Sequence, residues 1–368
     1  SEMMFATLTA ALGLFSVAFA GKVSPNHGFK SKYEGASLVF TEDWSKGIDF
    51  SLWKHEITMG GGGNWEFEYY INNRSNSFVE NGTLMIKPTL TADKIGAQQV
   101  SGAIPTTLEL WGSQPSDVCT GNSFYGCSRA SGGTNVLNPI QSARLRTANT
   151  FSFKYGRLEV EAKLPKGDWL WPAIWLLPEH QAYGTWPASG EIDLMESRGN
   201  SESYSAGGLN CFGSTLHWGP FWPLDPYDMT HGDYCMPSGN LNQDFHTYGL
   251  VWNENEIYTY IDDDSQRVME VQITESFWSK GGWGSSTFDN PWNGQPNNAP
   301  FDQEFYLIFN LAVGGTNGYF PDGVGGKPWS DTSTTAFMEF NNALPTVIQT
   351  WGEGNEAALQ IRSVNVWQ

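Results

Sequence analysis

Residues 190–198 read Gly-Glu-Ile-Asp-Leu-Met-Glu-Ser-Arg and place three carboxylates among apolar residues within six positions. In a β-strand successive side chains point to opposite faces, so Glu191 and Asp193 share one face and the isoleucine between them packs on the other. Strict alternation would turn Glu196 toward the packed face. One extra residue at Leu194-Met195, accommodated as a β-bulge, returns Glu196 to the face of the other acids. The stretch therefore predicts a bulged strand with one buried face.

Three carboxyl groups on one surface suit acid–base chemistry. The Cα atoms of Glu191 and Glu196 would lie roughly 13 Å apart at about 3.3 Å per residue, and their side chains can lean until the carboxyls are about 5 to 5.5 Å apart, as in retaining glycosidases. Crowding raises at least one pKa, which suits a proton donor. We predict Glu191 as nucleophile, Glu196 as acid and base, and Asp193 as the residue that orients Glu191. A solvated face of an ordinary strand would give the same spacing.

The rest of the chain consists of short apolar runs between turn residues. No helical periodicity is sustained over 11 or more residues from position 37 onward. An Asn81-Gly82 turn precedes a buried strand, residues 248–271 have the pattern of a three-stranded meander, and residues 305–313 form a long hydrophobic run. The apolar parity switches at Gly156, which predicts a bend there.

These patterns predict an all-β chain, a two-sheet sandwich with long loops. The longest irregular insertion spans about 112–138 and is rich in Gly, Ser and Cys. No composition break, repeat or charged linker divides the sequence. We therefore predict one domain over residues 21–368, with its core beginning near residue 36.

The N-terminus predicts export. An apolar run from Phe5 to Phe19 ends in Ala18-Phe19-Ala20, an A-x-A cleavage pattern. The run is shorter than a membrane span, although the positive charge that usually precedes such a run is missing. We predict a signal peptide over residues 1–20, possible fragment residues at its start, and a secreted, extracellular protein.

Cysteines and sequons agree with that compartment. Four cysteines allow three pairings, and proximity favours Cys119 with Cys127 and Cys211 with Cys235. Free buried thiols are the alternative. Two glycosylation sequons begin at Asn73 and at Asn81, and they matter for a eukaryotic source.

The charge restricts the partners. The chain has 20 basic and 39 acidic residues, a formal net charge of −19, which argues against nucleic acids and anionic membranes. It also has 17 Trp and 14 Tyr residues, whose flat rings can cover the apolar faces of sugars. Filling of the core is the alternative for these aromatics. We predict a monomer that binds a polysaccharide or oligosaccharide, without a cofactor.

Several motifs together resemble glycoside hydrolase family 16, and within it the animal branch of laminarinases and glucan-recognition proteins. The resemblance covers about residues 36–368 and rests on Glu191-Ile192-Asp193-Leu194-Met195-Glu196, Trp186-Pro187, Leu170-Trp171-Pro172-Ala173-Ile174-Trp175, Ser142-Ala143-Arg144-Leu145-Arg146, Asn310-Leu311-Ala312-Val313-Gly314-Gly315 and Gly318-Tyr319-Phe320-Pro321-Asp322. It implies a β-jelly-roll sandwich whose concave face forms a glycan cleft. It also implies retaining endo-hydrolysis of β-1,3-glucans by Glu191 and Glu196.

The same resemblance implies further site residues. Trp171, Trp175 and Trp186 would flank the scissile bond, and His217 would lie near the acid/base. Additional sugar contacts would come from Asn64, Arg144 and Tyr319. Burial in the core is the alternative for each aromatic residue, and a structural role is the alternative for His217.

No metal site is predicted. Many family members have an acidic residue in the last strand that helps to bind calcium, whereas this chain has Arg362 in the corresponding register. The aspartates at 262–264 have the composition of a solvated hairpin turn more than of a calcium loop.

Two functions of different classes remain open. The first is a secreted endo-1,3-β-glucanase, or laminarinase. The second is a non-catalytic β-1,3-glucan recognition protein of innate immunity, although such relatives often lack the catalytic glutamates that this chain keeps. Hydrolysis of another β-glycan, such as mixed-linkage glucan or a red-algal galactan, is a third possibility, and the net charge of −19 disfavours a sulfated galactan.

Overall fold

The computed structural model of the protein describes residues 35–368. The predicted signal peptide, residues 1–20, lies outside the described residues. The strands are, in chain order, β1 (Leu38–Glu42), β2 (Lys54–His55), β3 (Glu68–Tyr70), β4 (Ser77–Glu80), β5 (Thr83–Ile86), β6 (Thr89–Leu90), β7 (Thr107–Glu109), β8 (Ser128–Ala130), β9 (Ile140–Ser142), β10 (Arg144–Arg146), β11 (Ser152–Phe153), β12 (Gly156–Lys163), β13 (Leu170–Pro178), β14 (Glu191–Ser197), β15 (Cys211–His217), β16 (His231–Cys235), β17 (His246–Trp252), β18 (Glu256–Ile261), β19 (Arg267–Gln272), β20 (Phe305–Val313) and β21 (Leu359–Trp367).

Helices are few and short. The α-helices are α1 (Thr91–Ile95), α2 (Ala97–Ser101), α3 (Phe277–Lys280) and α4 (Ala336–Val347), and single 3-10 turns lie at Gly61–Gly63, Ser123–Tyr125, Tyr227–Thr230 and Ile348–Trp351. Between residues 35 and 368, no helix combines the length and the apolar character needed to cross a membrane.

Two antiparallel sheets form the sandwich. The first has the order β19-β18-β17-β12-β21-β5-β4, with β1 also paired to β21, and the second has the order β16-β15-β14-β13-β20-β10-β2, with β11 also paired to β20. The meander predicted over residues 248–271 is β17-β18-β19 at one edge of the first sheet. The predicted all-β jelly-roll sandwich is confirmed.

The two sheets bury one common core. Leu158 and Val364 of the first sheet and Ile174, Leu194 and Phe309 of the second are fully buried, and all belong to one continuous hydrophobic cluster. Removing apolar surface from water stabilises a fold by about 25 cal/mol per Å². The core takes one face of the second sheet, which leaves the other face for polar and aromatic side chains.

Two predicted turns have the backbone conformations that their residues favour. Asn81 and Gly82 both have positive φ, 52° and 69°, as a two-residue hairpin between β4 and β5 requires. The change of parity at Gly156 marks the point where the chain leaves one sheet for the other, because β11 pairs in the second sheet and β12 in the first. Gly156 has φ 129°, a conformation that favours glycine.

The expectation that no helical pattern reaches 11 residues is wrong for α4, which has 12 residues. Its buried positions, Ala336, Phe340, Leu344 and Val347, follow one helical face. Phe340 stacks on Phe67 with the ring centroids 4.6 Å apart. Tertiary packing against the sandwich therefore stabilises a helix whose sequence includes Pro345, a residue that usually disfavours helix interiors.

Both expected disulfides are present. Cys119 pairs with Cys127 and Cys211 pairs with Cys235. The first closes a loop inside the insertion between β7 and β8. The second joins β15 to β16 at directly opposed positions.

Ion pairs cover the outer surface of the first sheet. Arg157 lies 2.6 Å from Asp264, and Arg362 lies 2.6 Å from Glu161. His246 pairs with Asp262 at 2.8 Å. Two charged residues of β12 therefore have structural partners: Glu161 pairs across the strands with Arg362 of β21, and Arg157 pairs with Asp264 in the turn after β18. The arginine that stands where many family members have a calcium ligand makes an ion pair with a glutamate.

The packing of the core predicts how much one substitution lowers the free energy of unfolding. Replacing Phe309 with Ala removes a ring that stacks on Trp53 at 5.0 Å from deep inside the sandwich, and we expect the free energy of unfolding to fall by about 3–5 kcal/mol. Phe50→Ala is the matched control, because that ring is 49% exposed and should cost about 1 kcal/mol or less. Chemical denaturation of both variants measures the difference, and equal losses would contradict this account of the core.

Candidate active site

A bulge in β14 brings the three acids to one face. Along β13, Ala173 is paired with Glu196 and Trp175 with Asp193, and the register shifts by one residue between these pairs. The same shift appears against β15. The bulge predicted at Leu194-Met195 is therefore confirmed, with Leu194 as the unpaired residue.

Local contacts hold the bulge in place. Leu194 and Met195 are adjacent in sequence, yet both belong to the hydrophobic core cluster, whereas strict alternation would place them on opposite faces of the sheet. The carbonyl of Leu194 accepts a hydrogen bond of 2.7 Å from the Ser214 hydroxyl. The strand thus gains an unpaired residue without leaving that backbone oxygen unsatisfied.

Two indole groups donate to the glutamates. Trp186 Nε1 donates to Glu191 Oε2 at 2.8 Å, and Trp171 Nε1 donates to Glu196 Oε1 at 2.9 Å. Trp186 is 37% exposed, whereas Trp171 is nearly buried. Each glutamate therefore has a fixed donor on one oxygen. Trp186 and Trp171 thus each contact one of the two predicted catalytic glutamates; that they flank a scissile bond stays a prediction.

His217 bridges two aspartates. Its Nε2 lies 3.2 Å from Asp193 Oδ2, and its Nδ1 hydrogen-bonds Asp225 Oδ2 at 2.6 Å. The Asp225 side chain is only 4% exposed. His217 is the cross-strand partner of Glu191. Its charge also opposes the rise that burial causes in the pKa of Glu196, so it lies near the predicted acid/base as well. Asp225 was not anticipated, because nothing in the sequence indicates that the loop after β15 folds back onto the imidazole.

The two aspartates raise the pKa of His217. Burial opposes protonation of the ring, but the hydrogen bonds to Asp193 and Asp225 and the nearby charge of Glu191 raise the pKa of His217 well above its usual range. Nδ1 hydrogen-bonds Asp225, and Nε2 lies in close contact with the Asp193 carboxylate, so a carboxylate faces each nitrogen. The surroundings of His217 therefore favour its imidazolium form within the acidic cluster.

The carboxyl groups also have shifted pKa values. Burial and the charge of Asp193 raise the pKa of Glu191 to about 8, against the opposing effects of His217 and Trp186. Burial and the charge of Glu196 raise the pKa of Asp193 to about 6. Burial raises the pKa of Glu196 as well. These raised pKa values favour a cluster that keeps at least one proton near neutral pH.

Polar groups continue from the acids toward the edge strand. Trp175 Nε1 donates to Asn310 Oδ1 at 2.6 Å, and Asn310 Nδ2 donates to the Tyr70 hydroxyl at 3.1 Å. The Arg144 guanidinium lies 4.5 Å from the ring centroid of Trp175 and pairs with Glu56 at 3.2 Å. Trp175 and Arg144 thus form one contiguous part of the open face.

Asn64 and Tyr319 lie at the ends of the strands. Asn64 Nδ2 donates to Glu66 Oε1 at 3.0 Å, and Glu66 Oε2 accepts from Tyr70. Tyr319 stacks on Trp171 with the centroids 3.9 Å apart, and Arg198 covers its other side. Tyr319 therefore reaches the carboxyl cluster through Trp171, whereas Asn64 contacts none of the three acids.

One group of residues has the composition of a metal site. Donor atoms of Glu191, Asp193 and His217 lie within 4.8 Å of one another. A metal would need a neutral imidazole with a free lone pair, whereas His217 has a carboxylate at each nitrogen. The residues fit an ion-pair network better than a metal centre.

Comparisons with known proteins agree with this geometry. The profile of Glycosyl hydrolases family 16 matches residues 136–280. The Beta-1,3-glucan-binding protein of Penaeus monodon is 51% identical over 90% of this chain and 90% of its own length. The Glucan endo-1,3-beta-glucosidase of Cryptopygus antarcticus is 31% identical over 83% of this chain and 88% of its own length.

A solved structure has the same fold. The laminarinase from Rhodothermus marinus superposes with a TM-score of 0.54 at 25% identity, over 90% of this chain and 97% of that one. Other relatives are longer, and the chain spans 34% of one and 63% of another. The chain belongs to glycoside hydrolase family 16.

The bridge through His217 can be tested directly. Replacing Asp225 with Asn removes one of the two carboxylates that favour the imidazolium, so we expect the pKa of His217 to fall. The measurement is an NMR titration of ¹⁵N-labelled histidines, with His217 assigned by its substitution.

Asp233→Asn is the matched control for this titration. Asp233 lies 3.2 Å from His231 and raises the pKa of that histidine, so the variant should lower the pKa of His231 and leave that of His217 in place. An unchanged titration of His217 in Asp225→Asn would show that the carboxylate of Asp225 does not control its charge.

Proposed function

We propose that the protein is a secreted endo-1,3-β-glucanase that hydrolyses β-1,3-glucans with retention of configuration. One observation carries the proposal: the bulge brings Glu191 and Glu196 to the open face of β14, each with an indole donor on one oxygen. Two carboxyl groups beside one another are what a double displacement needs. The names of the relatives from Cryptopygus antarcticus and Rhodothermus marinus support it.

In the first step Glu196 donates its proton to the glycosidic oxygen, and the bond from that oxygen to the anomeric carbon breaks. The Glu191 carboxylate attacks the same carbon and forms a glycosyl ester. In the second step Glu196 takes a proton from water, and the water oxygen displaces Glu191. The product keeps the configuration of the substrate because the carbon is inverted twice.

Asp193 and His217 prepare the proton for this sequence. In the free site the raised pKa of Glu191 favours its protonated form, whereas the first step needs Glu191 ionised and Glu196 protonated. Asp193 lies between the two glutamates on the same face, so it can pass the proton from one to the other. The positive charge of His217 lowers the pKa of Glu191 and favours its ionised form.

The aromatic and polar residues around the acids would hold the sugar units. Trp186 is the most exposed of the three predicted tryptophans and can cover one sugar face beside Glu191. Trp175, Arg144 and Asn64 would contact units over β13, β20 and β10. Tyr319 would act together with the Trp171 ring on which it stacks.

A second function has a specific observation in its favour. The relative from Penaeus monodon, 51% identical, is named for binding β-1,3-glucan and not for cleaving it. Release of reducing sugar from laminarin separates the two functions. Saturable binding of laminarin with no release would favour the binding protein.

We also propose export, one domain and a monomeric state. The two disulfides suit an oxidising compartment, and the net charge of −19 suits a neutral glycan better than an anionic partner. Sedimentation of the purified protein and secretion of the full chain from eukaryotic cells test these points.

The nucleophile assignment predicts the effect of Glu191→Gln. The substitution keeps the shape and the hydrogen bond from Trp186 but removes the attacking carboxylate, so laminarin hydrolysis should fall about a thousandfold or more. Binding of laminarin should persist, because sugar contacts do not depend on that charge.

Glu161→Gln is the control. This glutamate of β12 belongs to the other sheet and pairs with Arg362, so the variant should keep the full rate. Substantial turnover by Glu191→Gln, measured as reducing sugar and corrected for contamination, would reject the assignment.

The shifted pKa values predict the pH dependence. As the pH falls, Glu191 takes up a proton and no longer attacks; as it rises, Glu196 loses the proton that it must donate. Both pKa values are raised from 4.5, so kcat/KM should be bell-shaped with its acidic limb above pH 4.5. Initial rates on laminarin at constant ionic strength measure this profile. An acidic limb at or below 4.5 in a folded protein would contradict the buried nucleophile.

A further inference from the structure

A disulfide-braced loop at the edge of the second sheet displays aromatic rings to solvent. We call residues 107–130 the braced loop; it comprises β7, β8 and the segment closed by Cys119–Cys127. In it Trp111 is 53% exposed, Phe124 48% and Tyr125 71%. The three rings line an open groove together with Asn122 and Ser128. An apolar patch with a polar rim is typical of a binding surface.

The loop is firmly attached to the sandwich, so its rings are not exposed through loose packing. Leu110 belongs to a small buried cluster with Ile57 and Met59. The amide of Met59 donates to Gly126 at 2.7 Å. Apolar residues of the braced loop therefore pack inward where packing is available, while the large rings remain outside.

The backbone under the rings has an uncommon conformation. Phe124 and Tyr125 have φ of 54° and 61°, and Trp65 beside them has φ of 55°. Bulky residues rarely adopt this left-handed region, and such positions cluster at binding and active sites. Arg129 donates to the carbonyl of Phe124 at 2.9 Å, so the fold holds these rings in a fixed, outward orientation.

Contacts connect the groove to the carboxyl cluster. Phe124 meets Trp65 edge to face at 5.7 Å, and Trp65 follows Asn64. A chain of hydrogen bonds leads from Asn64 through the side chains of Glu66, Tyr70 and Asn310. It ends at Trp175 on the open face of the second sheet. The strands β14, β13, β20 and β10 are neighbours, so β10 lies roughly 14 Å from the acids at about 4.8 Å per strand.

We propose that Trp65, Trp111, Phe124 and Tyr125 bind sugar rings of the same β-glucan chain, several units beyond the carboxyl cluster. The ligand class rests on the function proposed above. Flat aromatic rings can cover the apolar faces of pyranose units, and Asn122 and Ser128 can bond their hydroxyls. A neutral polymer also avoids the repulsion that this acidic protein imposes on anions. The affinity of the protein for a β-glucan should therefore increase once the glucan is long enough to reach from the carboxyl cluster to the groove.

The test compares short and long glucans. Affinities for β-1,3-linked glucose oligomers of three and of seven units are measured by calorimetry, with Glu191→Gln throughout so that the ligands stay intact. In Trp111→Ala/Tyr125→Ala the ratio of the affinity for seven units to that for three should fall about tenfold. Tyr125→Trp alone keeps a ring and should keep the ratio. Phe50→Ala removes an exposed ring outside the groove and should also keep it.

The outcomes separate this inference from the proposed function. If the unaltered groove binds seven units and the double variant keeps the same ratio, the groove is not a glucan site and the proposed function stands. If Glu191→Gln and the unsubstituted protein bind neither oligomer, both proposals fail. Equal losses for both oligomers, or a change of oligomeric state in the double variant by sedimentation, would instead indicate a role in folding or in protein docking and would overturn the inference.

Discussion

The position of one unpaired residue in β14 determines the rest of the site. The strand is bonded on both sides, to β13 and to β15, so it cannot slip to accommodate an extra residue. Leu194 is absorbed locally, and both it and Met195 enter the core. Because strand side chains alternate with a period of two, that single residue decides whether Glu196 faces the core or the open side. The hydrophobic core thereby holds a polar cluster in register.

Burying three carboxyl groups side by side costs free energy, and neighbouring residues offset part of that cost. Burial raises the pKa values of all three acids, and the negative charges of their neighbours in the cluster raise them further. A second aspartate, Asp225, whose side chain is buried, favours the protonated form of His217 beside them. The imidazolium offsets part of the repulsion, and two indole donors fix the glutamate oxygens. The cluster can therefore hold and exchange a proton near neutral pH.

Loops from distant parts of the chain complete the open face. The segment that carries Trp186 precedes β14, the loop with Asp225 follows β15, and the turn with Tyr319 follows β20. The sandwich supplies rigid strand ends, and the loops supply the groups that contact a ligand. The braced loop extends this arrangement beyond the edge strand. Its disulfide closes only a short segment, so it fixes local geometry more than overall stability.

The sequence by itself determined the sandwich, the bulge, the face shared by Glu191, Asp193 and Glu196, and both cysteine pairings. These features depend on alternation, turn residues and short separations, which are properties of neighbouring residues. The likeness to family 16 added the tryptophans beside the acids. Much of the fold and the centre of the site were therefore predictable.

The tertiary structure alone decided the remainder. The helix α4 is stabilised by Phe67, which lies far from it in sequence, and His217 hydrogen-bonds Asp225, which a loop brings back to the ring. The register of β15 against β14 sets His217 opposite Glu191, close enough for its charge to act on Glu196 as well. Contacts of this kind depend on the path of loops between strands, and no local period in the sequence encodes that path.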